Sequence, residues 1–282
     1  MDYHADRFVD HSLMIYVDEH LYALLPANVS GECFYSHQGL TYGGIILLQD
    51  ASTPTTLLVF DAINDYLIAQ GIKRVVYKPI PHVYHTIPAE EDLYALYWKC
   101  NAKIIRRDIG TALEFKNHPQ WRRLRRRGIK RAEEAGVKIQ REDNLEGFWP
   151  VLEKNLYDCH NVKPVHTIQE MRLLKDRFPD NIILYNAYLN SDVMGGIVLY
   201  INNDVVHAQY SSATVEGKQL GVLDAIYNKI INEDFKDYKY FDWGRSTEDD
   251  GHILNENLIS QKEGFGGRAV IYDIYEYTLS KP

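Results

Sequence analysis

The chain has 282 residues, 45% of them hydrophobic and 25% charged, and its formal net charge is −8. At roughly 100–200 residues per domain the length suits about two domains, the composition is that of a globular protein with ample core material, and no apolar run approaches the ~20 residues of a membrane helix. The acidic balance does not advertise nucleic-acid binding, MDYHADRF at the start has no signal-peptide core, and Cys33, Cys100 and Cys159 are too scattered for a disulfide framework or a zinc site, so a cytoplasmic protein with free thiols and no metal is expected.

In chain order, residues 13–17 and 21–29 predict a hairpin turned at Asp18–His20. Residues 33–48 are rich in β-formers but punctuated by glycines. STPTT (52–56) reads as a loop that caps a helix over 57–70, closed by Gly71. RVVYKP (74–79) is a short buried-type strand, 79–88 is irregular, 89–101 is a helix with acidic residues in its first turn, and 103–115 is a strand. Next comes the one strongly basic stretch, WRRLRRRGIKR (121–131), with seven of the 31 basic residues within positions 122–131. Two helices follow at 148–160 and 167–178, the second with Thr167 and Glu170 as a capping box. Residues 182–189 and 193–201 predict a second hairpin, and 205–213 a third strand. TVEGKQLG (214–221) reads as a loop, followed by a helix over 222–235, a strand over 238–244, a helix over 254–265 and a last strand over 269–279.

The two halves share an element order: hairpin, third strand, loop, helix, strand, loop, helix, long last strand. A few residues echo it. Asp61-Ala62-Ile63 meets Asp224-Ala225-Ile226 at an offset of 163, and Asp108-Ile109 meets Asp273-Ile274 at 165. A doubled module is expected on this order more than on these sparse identities.

Three stretches carry a resemblance: FDWGRS (241–246), SQKEGFGGR (260–268) and the basic linker RRGIKRAEEAGVKI (126–139). With the element order, they resemble the Fem-type peptidoglycan-bridge aminoacyltransferases and their tandem GCN5-related acyltransferase relatives. The family's D-x-G-x-S element matches Asp242, Gly244 and Ser246. Its F-K-x-x-x-G element keeps Lys262 but has Gln261 where an aromatic residue is usual. The resemblance implies an α/β (α+β) fold of two tandem modules, each a mixed, mostly antiparallel sheet flanked by helices. The expected boundaries are a degenerate module at 1–118, a basic linker helix at 119–140 and a second module at 141–282. It also implies transfer of an acyl group from acyl-CoA, or an aminoacyl group from tRNA, to an amine in an inter-domain cleft. A small molecule or a peptidoglycan precursor would be the acceptor.

Comparing the halves suggests which one does the chemistry. Gly217, Lys218, Gln219, Gly221 and Val222 precede or open the repeated helix in the second half, where glycines admit a diphosphate to backbone N–H groups. The first-half counterpart, Pro54–Leu58, has neither glycine nor lysine, and the second-half loop resembles the pyrophosphate loop of acyl-CoA-using relatives, which implies acyl-CoA as a possible co-substrate. Asp242, Arg245 and Ser246 face Tyr77, Ile80 and Pro81 at offset 165, a polar strand end against an apolar one. A surface loop and a solvated acidic turn are the plain alternatives.

His207, on the third strand of the second module, is a candidate proton acceptor, with Asp242 beside it in the catalytic set and Tyr210 as a substrate contact. The alternative is a packed or surface histidine. Ser36, His37 and Tyr42, in the glycine-rich SHQGLTYGG, are candidate acceptor contacts, or else parts of a bulged sheet edge. The basic helix 122–131 is a candidate tRNA contact, or a solvated linker. Lys262 falls on the apolar stripe of Leu254, Leu258 and Phe265, so its ammonium must either snorkel past Phe265 to water or point into the cleft, where it would bind a carboxylate or phosphate or stabilise an oxyanion, the role the resemblance favours. The reading left beside an enzyme is a non-catalytic ligand- or partner-binding protein on a doubled acyltransferase fold.

Overall fold

The computed structural model describes residues 2–280, apart from the side chains of Asp2, Cys159 and His160. The thiol expected at Cys159 therefore lies outside the described residues, while Cys33 and Cys100 are free. In chain order the strands and helices are β1 (Val9–Asp10), β2 (Leu13–Val17), β3 (His20–Leu25), β4 (Asn28–Ser30), β5 (Cys33–Tyr35), β6 (Ile46–Leu47), α1 (Thr53–Ala69), β7 (Arg74–Tyr77), α2 (Glu91–Trp98) and β8 (Lys103–Glu114). There follow α3 (Arg123–Glu134), β9 (Lys138–Glu142), α4 (Trp149–His160), α5 (Ile168–Arg177), β10 (Ile182–Leu189), β11 (Asp192–Ile201), β12 (Val205–Ala213), α6 (Val215–Leu220), α7 (Val222–Lys229) and β13 (Tyr240–Arg245). Last come β14 (Thr247–Glu248), β15 (Ile253–Leu254), α8 (Glu256–Gly264) and β16 (Arg268–Thr278). No helix among the described residues is long and apolar enough to cross a membrane.

The chain forms two compact units, and neither is one contiguous stretch. Unit 1 holds Met1–Ile109, Thr247–Leu254 and Val270–Pro282; unit 2 holds Gly110–Ser246 and Asn255–Ala269. The expected modules end at 118 and begin at 141, so the observed division differs in two ways. The basic helix α3 lies inside unit 2, and most of the last strand lies in unit 1.

Unit 1 has strands in the order β1-β4-β5-β7-β16 and a small sheet β2-β3-β6. β5 runs parallel to β7, and β7 pairs antiparallel with β16, Tyr77 opposite Tyr275. The expected hairpin forms between β2 and β3, with Asp18 and Glu19 both at positive φ in the turn. Its second strand stops at Leu25, because Pro26 has no N–H to donate, and the chain resumes as β4 against another partner. α1 begins four residues before the expected start. Ser52 accepts from Thr55 N at 3.3 Å, and Pro54 fits the first turn. Its Val59, Phe60, Ile63 and Leu67 are buried in the unit 1 core with Phe34, Val75 and Leu96. Leu67 is fully buried, so Leu67→Ala would cost about 2–5 kcal/mol.

Unit 2 has strands in the order β8-β13-β12-β11-β10-β9. All neighbours are antiparallel except β12 and β13. β9 was not expected. Lys138–Glu142, with only Ile139 and Glu142 half-buried, pairs with β10 after Gly136, in the left-handed conformation, has turned the chain out of α3. α7 packs Val222, Ile226 and Tyr227, with Ile230 just past its end, onto one core with Ile197, Leu199, Phe241, Trp243 and Phe265. The other face of the sheet carries α4 and α5, through Phe148, Trp149, Leu152 and Met171. The capping box at Thr167 and Glu170 is present. α7 ends in a wider, π-type turn at Ile230–Asp234.

The expected loop 214–221 is also helical. Thr214 accepts from Gly217 N at 3.0 Å and starts α6, which Gly221 ends at φ +80°. The threonine cap outweighs the glycine at 217 because that glycine is needed for packing: a Cβ there would collide with the Met194 carbonyl. Gly221 meets α3 instead; a Cβ on it would stand 2.6 Å from the Gly128 carbonyl. A Cβ at Gly128 would run into the Asp224 carboxylate. This pair of glycines lets α3 lie directly on the start of α7.

Candidate active site

β12 and β13 pair only from Val205↔Tyr240 to His207↔Asp242. Beyond that pair β12 continues against β11 alone, and the two parallel strands part. Phe241 and Trp243 point into the α7-side core, so Asp242 between them points to the other face, as His207 does after the core residue Val206. The two meet, His207 Nδ1 lying 2.8 Å from Asp242 Oδ2. Asp242 is fully buried and also accepts from Gly244 N at 2.9 Å. A carboxylate in this position holds the neutral imidazole with its proton on Nδ1 and the lone pair on Nε2. Gly244, at φ +66°, makes the turn possible, and a Cβ there would press on the His207 ring at 3.2 Å.

Lys262 joins this strand end from α8. Its ammonium donates to Gly244 O at 3.0 Å, Arg245 O at 2.7 Å and Ser246 Oγ at 2.8 Å. Those bonds use all three N–H groups, so this geometry leaves no donor for an oxyanion. Burial holds the Lys262 ammonium below the usual lysine range, at about 8, against the opposing pull of Asp242. Asn255 N donates to Ser246 O at 2.9 Å and closes the neck where the chain leaves for β14 and returns.

His207, Asp242, Lys262 and Ser246 are therefore gathered at one strand end, with the Arg245 side chain exposed beside them. Tyr210 packs on Trp149 with ring centroids 5.6 Å apart, and its hydroxyl accepts from His166 N at 3.2 Å. Ser36, His37 and Tyr42 belong to unit 1. Ser36 is buried and its hydroxyl accepts from Lys78 N at 2.7 Å. His37 is buried against His4 and Phe8, at φ +62°, with its pKa lowered first by burial. Tyr42 packs its ring at a tilt against Tyr84 and Tyr272, with centroids 4.7 and 6.2 Å away. Among the described residues no group of three or more His, Cys, Asp or Glu side chains is placed to hold a metal ion.

Three of the amides expected to cradle a diphosphate are engaged within α6 and its cap. Gly217 N bonds to Thr214 Oγ1, Lys218 N to Thr214 O and Gly221 N to Gly217 O. Gln219 is exposed and Val222 is core. Instead, a cavity of about 420 Å³ lies between α3, the α6–α7 junction and α8. Its lining includes Arg122, Arg125, Lys218, Ser260 and Gln261. Arg125 pairs with buried Asp224 at 2.6 Å and sits over the Phe265 ring at 5.4 Å. Burial raises the Asp224 pKa although Arg125 pulls it down. Sequence reasoning did not connect Arg125 with Asp224. The available signal was Gly128, a glycine inside a helix where its cost implies a close neighbour.

Residues 120–250 match the family model described as Acetyltransferase (GNAT) domain. No curated protein matches the chain in sequence. Among solved structures, FemX superposes with a TM-score of 0.70 at 9% identity, covering 98% of this chain and 89% of FemX. L-PGS from Bacillus licheniformis gives 0.65 at 13% identity, with 96% and 85% covered. A tandem GNAT protein from the clavulanic acid biosynthesis pathway, solved without AcCoA, gives 0.51 at 9% identity, with 96% and 83% covered. Residues 120–250 thus resemble a GNAT domain in sequence, and the chain as a whole shares its fold with FemX and with tandem GNAT proteins.

Proposed function

We propose that the protein transfers an acyl or aminoacyl group to an amine at the strand end where β12 and β13 part. The observation that carries this reading is the His207–Asp242 pair at the last shared register position, on a fold used by acyltransferases. The amine attacks the donor's acyl carbonyl, a C–N bond forms, and the bond from that carbon to the donor's sulfur or oxygen breaks. His207 Nε2 takes the proton the amine sheds, and the leaving sulfur or oxygen takes a proton from the resulting imidazolium or from water. Asp242 orients the ring and stabilises its charged form. Lys262 acts by position: it fixes Gly244–Ser246 and hence the Gly244 N–H that holds Asp242. The donor is acyl-CoA or aminoacyl-tRNA, and the acceptor is a small-molecule or peptidoglycan-precursor amine.

The test is single-turnover transfer from acetyl-CoA and from aminoacyl-tRNA to a panel of amines. His207→Gln should lower the rate by about 10²–10⁴, the usual contribution of a positioned proton acceptor. Wild-type rates in His207→Gln would overturn the assignment. Donor binding with no amine ever acylated would leave the other reading, a binding protein on this fold.

A further inference from the structure

We infer that unit 2 carries a second binding site, at the β9 edge of its sheet, for a small carboxylate that also bears hydroxyl or amide groups. Lys138 meets the carboxylate, and Gln140, Asn190 and Ser191 meet the remaining polar groups. The site does not depend on the proposed function.

A cavity of about 530 Å³ is lined by Gly136, Lys138, Gln140, Tyr188, Asn190 and Ser191. That volume falls in the range of small-ligand sites. The strand pattern explains the lining. β9 ends the sheet. Its Ile139 packs on the α7-side core, so Lys138 and Gln140 on either side of it turn to the other face. The register sets Tyr188 directly opposite Lys138. α4 and α5 cover that face over Ile182, Leu184 and Val198, but neither helix is among the described lining of the cavity. The β10–β11 turn adds Asn190 at φ +51° and Ser191 at φ +77°.

The polar groups gathered here are unspent. Among the described residues, the side chains of Lys138, Gln140, Asn190 and Ser191 have no hydrogen-bond or ion-pair partner. In the cavity beside α3, by contrast, Arg125 is engaged by Asp224, and Arg122 by Ser260 and Glu263. The one acidic residue of β9, Glu142, accepts from Asn186 Nδ2 at 3.1 Å. Burial, and then Glu142, raises the Tyr188 pKa and keeps the phenol a donor.

Charge selects the ligand. Lys138 is the only charged residue in the described lining. A monoanion is neutralised there, a phosphate dianion is left in excess and an ammonium is repelled. The chain's net charge of −8 works further against a polyanion. Amide and hydroxyl side chains offer both donors and acceptors, so they suit hydroxyl or amide groups on the ligand. An apolar ligand would desolvate them without replacing their hydrogen bonds to water.

The cavity is separate from the reaction centre. His207 lies opposite Tyr200, and Tyr200 opposite Ile182. Tyr188 is six positions further along β10, roughly 20 Å at the rise of a strand.

The experiment titrates the intact, isotope-labelled protein with sodium gluconate and with N-acetylglycine and follows amide chemical shifts. The two probes separate a hydroxy acid from an acylated amino acid as the source of the carboxylate. At least one should bind and move the amides of 136–140 and 188–191. Glucose and N-acetylglycinamide, which lack the carboxylate, should bind about tenfold more weakly or worse. Lys138→Gln should weaken carboxylate binding by a similar factor while melting as wild type, because its side chain is exposed. Asn190→Gly with Ser191→Gly removes both side chains, keeps a turn that glycine favours and should also weaken binding. His207→Gln should bind as wild type. No movement of those amides with either carboxylate, or wild-type affinity in Lys138→Gln, would overturn the site. Inorganic phosphate binding there more tightly than both carboxylates would overturn the ligand class.

Discussion

The two units solve the same local problem in opposite ways. Each has a strand, a helix and a second strand parallel to the first: β5, α1, β7 in unit 1 and β12, α7, β13 in unit 2. In each the second strand then pairs antiparallel with a strand from the other half of the chain, β16 for β7 and β8 for β13. The difference lies past the last parallel pair. In unit 1 the chain itself continues the contact. Ser36 N bonds to Val76 O, Lys78 N to Ser36 Oγ and Gly43 N to Lys78 O. The Tyr77 hydroxyl accepts from Ile45 N and donates to Asp92, both at 2.7 Å. In unit 2 the strands part and a His–Asp pair stands at the fork. A strand end stitched shut by its own backbone supports a scaffold; one ending in an oriented imidazole suits proton transfer.

The largest expected contrast is in activity. Asp242→Asn should lower transfer by about 10²-fold or more, because the carboxylate that orients His207 is lost. Tyr77→Phe, at the equivalent strand end, should leave the rate within about twofold and cost about 1–3 kcal/mol of stability through the orphaned Ile45 N and Asp92. Equal rate losses in single-turnover assays of the two variants would break the comparison.

The echoed aspartates should also diverge. Asp224 is buried and pairs with Arg125, whereas Asp61 pairs with Lys99 at 2.7 Å with its side chain 43% exposed. Asp224→Asn should cost about 3 kcal/mol, since it strands a mostly buried guanidinium. Asp61→Asn should cost under ~1 kcal/mol. Urea denaturation of the two variants at one pH measures the gap.

Asp92 gives a pH signature in unit 1. Burial raises its pKa to about 6 from 3.8, with Tyr77 and Leu93 N opposing. The folded state then binds more protons than the unfolded state between about pH 4 and 6, so stability falls as pH rises through that window. Asp92→Asn should remove this slope and gain up to about 3 kcal/mol on wild type between pH 4 and 7. Melting curves across that range that keep the wild-type slope would contradict the assignment.

Lys262 gives the opposite sign in unit 2. Its folded pKa, about 8, is below the ordinary 10.5. Between those values the unfolded state binds more protons, so stability rises with pH as the buried charge is relieved. Wild type should gain on Lys262→Met from pH 8 to 10.5, while its transfer rate falls as the clamp loses a donor. A constant difference in melting temperature over that window would mean the ammonium is not buried as described.

Much of this was legible in the sequence, and the failures have physical causes. Element order, the Thr167 capping box and most strands followed from local signals. His207, Asp242 and Lys262 could each be singled out, but the contact between the first two depends on a parallel register that no local pattern encodes. The same holds for the exchange of β8 and β16. The saturation of Lys262 by Gly244, Arg245 and Ser246 required a turn geometry visible only in three dimensions. α6 was misread because Gly217 looked like a loop residue when it serves the Met194 carbonyl. β9 is hidden by the polar residues of an edge strand, where Lys138, Gln140 and Arg141 face solvent and leave no alternating apolar pattern.

The most direct test of the central claim is a crystal structure of the protein with a non-reactive acyl-donor analogue. The acyl carbon should lie beside His207 Nε2, at the fork of β12 and β13. An acyl group bound instead along residues 36–45 of unit 1, away from His207 and Asp242, would contradict it.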